Sequence, residues 1–199
     1  KWARKGCGDK FKIRLYSDSK ELLFQKDIYV IVISSPNFTH IEVMRDIFDT
    51  DKHVLLEKPM CTNLADGLEV LKRSKRHKGL VWVGLEYRFM SPIQAMMRHL
   101  GEVGEIKMMS IREHRFPFLK KVGDWNRFNE KTGGTLVEKC CHFFDLMNLM
   151  IQSVPVKIYA SGGQSVNHLD ECYRGNTPDI LDNSFVIVDF EKGQRAMLD

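Results

Sequence analysis

The sequence predicts an α/β protein in two parts: a partial domain built on a parallel sheet, then an α+β domain with a mainly antiparallel open sheet. Three observations predict it. Apolar runs at 28–33 (IYVIVI), 54–56 (VLL) and 80–85 (LVWVGL) are separated by helix-period stretches, the order of βαβ units with right-handed crossovers. Each run ends in polar residues: Ser34, Ser35, Pro36 and Asn37, then Glu57 and Lys58, then Glu86, Tyr87 and Arg88. Past Pro92 the strand-like stretches lose this spacing. The boundary is expected near 88–92, with domains at 1–90 and 91–199.

Residues 1–10 are basic and glycine-containing. Gly6-Cys7-Gly8 is not a dinucleotide fingerprint, because position 11 is Phe and no apolar strand precedes it. Residues 11–16 (FKIRLY) alternate like a strand, and Ser17-Asp18-Ser19 can cap a short helix over 21–25. The run at 28–33 is apolar at every position, which predicts a strand buried on both faces. Thr39 and Glu42 have capping-box spacing ahead of a helix whose apolar positions are Ile41, Met44, Ile47 and Phe48. The strand at 54–56 leads to Glu57-Lys58-Pro59, where Pro59 holds Lys58 extended and its ammonium can be aimed.

Thr62 or Asn63 is expected to cap the next helix, with Leu64, Leu68 and Leu71 on one side and Gly79 closing it. Ser91-Pro92 reads as N-cap and N1 of a further helix. Strands are expected at 106–112, 156–160 and 184–190, the last turning through Glu191-Lys192-Gly193 to a partner at 194–198. Between them, Gly133-Gly134 opens a long apolar helix over 135–150. Glu138, His142 and Asp145 fall at i, i+4 and i+7 on it. Either that stripe faces solvent, or it presents a carboxylate and an imidazole to a cleft. A metal site from Glu138, Cys141 and His142 is disfavoured, since adjacent helical residues point roughly 100° apart.

Composition narrows the class. The 199 residues carry 30 basic and 26 acidic side chains, a net charge of +4 that argues for neither nucleic acid nor an anionic membrane. The run at 72–78 (KRSKRHK) reads as a solvated helix C-terminus, where cations favour the dipole. Five cysteines, odd in number and without C-x-x-C spacing, fit a reducing, cytoplasmic setting. No stretch has transmembrane or signal-peptide character.

These pieces resemble the Gfo/Idh/MocA family of nicotinamide-dependent oxidoreductases. The similarity rests on 30–40 (VIVISSPNFTH), 53–59 (HVLLEKP), 100–106 (LGEVGEI), Asp124-Trp125 and the stretch from Gly133-Gly134 through Asp145, in family order. The resemblance implies a Rossmann-like domain that binds NAD or NADP, then an α/β domain whose open sheet often mediates oligomerisation. It implies that Ser34, Ser35, Pro36, Asn37, His40, Glu57, Lys58 and Glu86 line the cofactor, and that Arg88, Trp125 and His142 border a small hydroxylated substrate. It makes Lys58, His142 and Glu138 the catalytic set, with no metal. The expected reaction is hydride transfer from the CH–OH group of a sugar, polyol or cyclitol. His142 would take the hydroxyl proton and Lys58 would stabilise the alkoxide.

Two departures stand out. Glu138 occupies the position of the family's aspartate, one methylene longer, so a different substrate is expected. Nothing before Ile28 supplies the glycine-rich turn that receives a pyrophosphate. The chain is therefore expected to be part of a longer protein, with apolar surface and unpaired edge groups left bare beside 28–33. The competing readings are a non-catalytic binding or oligomerisation module that keeps the site residues by descent, and a metal-dependent lyase or hydrolase.

Overall fold

Strands β1 (Val30–Ile33), β2 (His53–Glu57) and β3 (Val81–Gly84) pair in parallel in that order, Ile33 opposite Leu56 and Leu56 opposite Val83. This computed structural model describes residues 10–199; the glycine pair at Gly6 and Gly8 lies outside the described residues. Helices α1 (Ser19–Leu23), α2 (His40–Ile47) and α3 (Leu64–Ser74) accompany the sheet. Ile31, Ile33, Val54 and Leu56 form one buried cluster with Leu23, Ile41, Met44, Ile47 and Val70.

Burial alternates along the strands, contrary to the expectation of two covered faces. Both crossovers lay their helices on one side. The other side shows a cross-strand row, Val32, Leu55 and Trp82, with 59%, 36% and 47% of each residue exposed. Among the described residues β1 pairs only with β2, so apolar surface and a free edge are bare where the sequence placed them.

Several local expectations are corrected. Residues 13–16 are coil rather than a strand, exposed except for the half-buried Tyr16, because no neighbour among the described residues supplies a ladder. Thr39 makes no capping box. It closes a 3-10 turn (Asn37–Thr39), and its hydroxyl lies 2.7 Å from both the Pro36 carbonyl and the Ser35 hydroxyl oxygen. On α3 the buried residue is Val70, while Leu64, Leu68 and Leu71 are all more than half exposed. Asn63 does cap α3, its side-chain oxygen accepting from the Asp66 amide at 3.0 Å. Asn63→Ala is expected to cost about 1 kcal/mol in chemical denaturation, as removal of such a cap typically does. Helix α4 (Ser91–Val103) begins one residue early, with Met90 at the N-cap position.

The second sheet runs β4-β7-β6-β5, from β4 (Met108–Ile111), β5 (Pro155–Gly163), β6 (Asn183–Phe190) and β7 (Arg195–Leu198). β5–β6 and β6–β7 are antiparallel, and β4–β7 is parallel. Short helices α5 (Asn129–Thr132) and α6 (Thr135–Glu138) precede α7 (Cys141–Ile151). Phe143, Met147 and Ile151 of α7 pack on Val186, Val188, Phe190, Ala196 and Leu198. The opposite face is open, with Tyr159, Phe185 and Ile187 exposed.

The single long helix expected over 135–150 is two helices. The break falls at Lys139 (φ −107°, ψ −44°) and Cys140 (φ −84°, ψ −3°). The preceding turn is fixed by Gly133 at φ +80°, where a Cβ would stand 2.6 Å from the Thr62 carbonyl oxygen. That close approach seats α6 on the loop after β2.

Candidate active site

The polar ends of β1, β2 and β3 lie along one edge of the parallel sheet, the edge at which open α/β sheets bind ligands. Lys58, joined to Pro59 by a cis peptide bond, donates from Nζ to the Glu138 carbonyl at 3.1 Å. An uninterrupted helix would give that carbonyl to the His142 amide. Here it also lies 3.8 Å from the Cys141 thiol. Lys58 is held below its usual pKa by burial and by the neighbouring Lys139 ammonium.

Glu138 and His142 are buried, with 1% and 4% of each residue exposed, so the stripe faces inward rather than toward solvent. Glu138 Oε1 meets Lys139 Nζ at 3.2 Å and Lys121 Nζ at 3.4 Å, while buried Oε2 has no partner. His142 stacks on Tyr87 (centroids 4.1 Å apart, planes 7° apart), and its Nε2 lies 3.5 Å from Glu86 Oε1. Nδ1 is buried without a partner. Burial lowers the His142 pKa, the Glu86 carboxylate opposes this, and Lys58 adds to the lowering. A buried carboxylate oxygen and a buried ring nitrogen without partners suit a hydroxylated ligand.

The lowered imidazole pKa has a sign that can be checked. The unfolded chain binds a proton near pH 6.5, and the folded chain binds it only at lower pH. Stability therefore falls as pH drops through 6.5. His142→Gln is expected to flatten that part of the stability-versus-pH curve in chemical denaturation.

The remaining expected residues fall into distinct settings. His40 is fully buried, and its two ring nitrogens lie 3.0 Å from the Pro59 and Ser35 carbonyl oxygens. It ties the loops after β1 and β2 together and leaves no ring nitrogen for a ligand. Arg88 is engaged by Asp145 through two hydrogen bonds, which makes it a link between the β3 end and α7. Trp125 packs edge-on to Phe38 at 6.2 Å and carries Lys121 over its ring at 4.3 Å. The sequence reading missed Lys121 and Lys139; the only signal was Lys139 following Glu138 directly. It also missed the stacking role of Tyr87.

The cofactor end fits in part. At the end of β1, the Asn37 side-chain nitrogen is buried and without a partner. Beside Glu57, β3 carries Gly84, where a Cβ would make ordinary contacts, 3.5 Å from the Leu56 carbonyl oxygen and 3.6 Å from Glu57 Oε2. Among the described residues no group of three or more His, Cys, Asp or Glu side chains converges as a metal-ligand set. A cavity of about 420 Å³ is lined by Lys139, Cys140 and Phe143 but by none of Lys58, Glu86, Glu138 or His142. Lys58, Glu138 and His142 therefore lie outside that cavity.

A partial parallel sheet of Rossmann type, followed by a second α/β unit on a mostly antiparallel sheet, is the scaffold of an oxidoreductase. The chain belongs to the Gfo/Idh/MocA oxidoreductase family. Residues 3–85 match the family's NAD-binding Rossmann-fold domain, and residues 99–199 match its C-terminal α/β domain. An uncharacterized oxidoreductase of Bacillus subtilis, YrbE, is 27% identical over 188 residues, covering 92% of this chain and 51% of that protein. The myo-inositol 2-dehydrogenase of Thermotoga maritima is 24% identical over 190 residues, covering 94% and 53%. The crystal structure of a probable dehydrogenase from Thermotoga maritima superposes with a TM-score of 0.85 at 21% identity, covering all of this chain and 58% of the other. The chain thus spans about half the length of the curated relatives it matches. No helix among the described residues is long and apolar enough to cross a membrane.

Proposed function

We propose that the protein is an NAD- or NADP-dependent dehydrogenase acting on the CH–OH group of a sugar, polyol or cyclitol. The observation that carries this reading is the meeting of Lys58 with Glu138 and His142 at the carboxyl edge of the parallel sheet. The cofactor, when bound, supplies a nicotinamide ring that accepts the hydride. Ser34, Ser35, Pro36, Asn37 and Glu57 would hold it, Asn37 through its unpartnered amide.

The chain's own residues do the rest. The substrate hydroxyl approaches His142 Nδ1 and gives it the proton as the carbinol C–H leaves with its electron pair, so that C–O becomes C=O. Lys58 stands at the developing oxyanion, where a desolvated ammonium is worth more than in water. Glu138 Oε2 accepts a second substrate hydroxyl. Arg88 acts through Asp145, which lies on α7 with His142, and Trp125 borders the substrate. The domains are read as 1–90 and 91–199, and Tyr159, Phe185 and Ile187 on the open sheet face suit pairing with a second copy.

The test is a thermal-shift titration of the chain with NAD and NADP, followed by cofactor reduction assayed with a panel of cyclitols, polyols and sugars. Cofactor stabilisation with turnover of at least one alcohol is expected. Stabilisation without turnover of any alcohol would instead favour a binding module, a reading for which the bare apolar row Val32, Leu55 and Trp82 speaks.

A further inference from the structure

The crevice holds more positive charge than its own carboxylates balance. Three ammonium groups gather at Glu138: Lys58 on its carbonyl, and Lys121 and Lys139 both on Oε1. Two of the other nearby acids are committed elsewhere, Asp145 to Arg88 and Glu113 to Arg115, and the exposed Glu86 beside His142 offsets part of the charge on Lys58, which leaves three ammonium groups facing two carboxylates. Lys58 and Lys139 face each other closely enough that Lys139 is the main charge lowering the Lys58 pKa.

Charge left unpaired in a partly desolvated site is costly, and the surroundings preserve it rather than quench it. Lys121 lies over the Trp125 ring at 4.3 Å and Lys139 over the Phe118 ring at 4.8 Å. Aromatic faces hold an ammonium in place while leaving its N–H donors free for a ligand. The Lys121 side chain is 40% exposed and that of Lys139 21%, so both can be reached from the crevice.

We propose that Lys121 and Lys139 form a carboxylate-binding subsite, so that the substrate is a sugar acid or polyhydroxy acid. Its hydroxyl groups face Glu138 Oε2 and His142, and its carboxylate meets the two lysines. This deepens the dehydrogenase reading and rests on it for the reacting hydroxyl. It also explains the departure at position 138. A carboxylate one methylene longer than aspartate reaches back to the two lysines and keeps them aligned when no acid is bound.

The test is calorimetric binding to the full chain, with and without NAD or NADP, of D-gluconate against D-glucitol and D-glucuronate against D-glucose. Within each pair the carbon count is the same and the carboxylate is the main change. The acids are expected to bind roughly tenfold more tightly, the scale of one charge-assisted hydrogen bond. Raised salt should erode that preference. Lys121→Met and Lys139→Met should each lower acid affinity about three- to tenfold, a larger loss than the neutral partner shows, so that the preference within each pair shrinks. Lys121 sits in an exposed loop, so its variant keeps the test usable should Lys139→Met fold poorly. Equal affinity within the pairs, or binding of none of the four, would overturn the subsite. Selective acid binding without oxidation of any acid would defeat the dehydrogenase reading and leave the subsite standing; oxidation of neutral polyols with no acid preference would do the reverse.

Discussion

Lys58→Met is expected to lower kcat for alcohol oxidation by about a hundred- to a thousandfold, the usual effect of removing one group that stabilises developing negative charge. The ammonium is 3.1 Å from the Glu138 carbonyl and is held below its ordinary pKa by burial and by Lys139. A methionine fills much of the same volume, so the fold should survive and cofactor-induced thermal stabilisation should remain. The wild-type protein should also show an alkaline limb in its rate profile below the ordinary lysine value of 10.5, and the variant should lack it. Lys58→Arg should not rescue, because the planar guanidinium cannot reproduce a single aimed ammonium. Wild-type kcat in the methionine variant, measured by nicotinamide absorbance with saturating alcohol, would remove Lys58 from the reaction.

The second large effect is structural. Gly133→Ala places a methyl group 2.6 Å from the Thr62 carbonyl oxygen and 2.8 Å from Val137 Cγ1, at φ +80°. The backbone strain alone costs about 1–2 kcal/mol, and the overlap with a fixed backbone oxygen adds a similar amount. Loss of about 3 kcal/mol should lower the unfolding midpoint by roughly 6–12 °C for a chain of this size. Gly123→Ala is the matched control: its φ is also positive, at +75°, but nothing lies within 4 Å of the added carbon. It should cost only the strain. Equal losses at the two positions would show that the contact with Thr62 carries no weight. Because that contact seats α6 beside the loop after β2, activity should fall further in the Gly133 variant than its stability alone explains.

Where the sequence was legible, two periodicities made it so. The β-branched runs and their polar ends located β1, β2 and β3 and the edge that gathers Asn37, Lys58 and Glu86, because strand ends in a parallel sheet share one edge by construction. The sequence was less legible where pattern and packing part company. Residues 13–16 alternate correctly but have no partner strand among the described residues, and alternation without a ladder makes no sheet. Leu64, Leu68 and Leu71 have helical spacing yet are more than half exposed, and Val70 is the residue of that helix in the buried apolar cluster with α2 and the sheet. The stripe of Glu138, His142 and Asp145 was visible as spacing, but the break at Lys139 and Cys140 was not. No proline or glycine marks it. Lys121 lay beyond reach because it stands 17 positions from Glu138, across a 3-10 segment and two short helices whose packing no sequence spacing reveals.

The interrupted helix bears on how the two halves respond to one another. A carbonyl released from its own helix is a backbone acceptor placed opposite a side chain that the dehydrogenase reading needs charged and aimed. Any motion that lets 135–151 wind into one continuous rod would reclaim that oxygen for the His142 amide and set the lysine loose. Movement of the second sheet's helix and alignment of the first sheet's ammonium are therefore coupled at this oxygen atom, beside the Arg88–Asp145 pair and the Tyr87–His142 stack that also join the two.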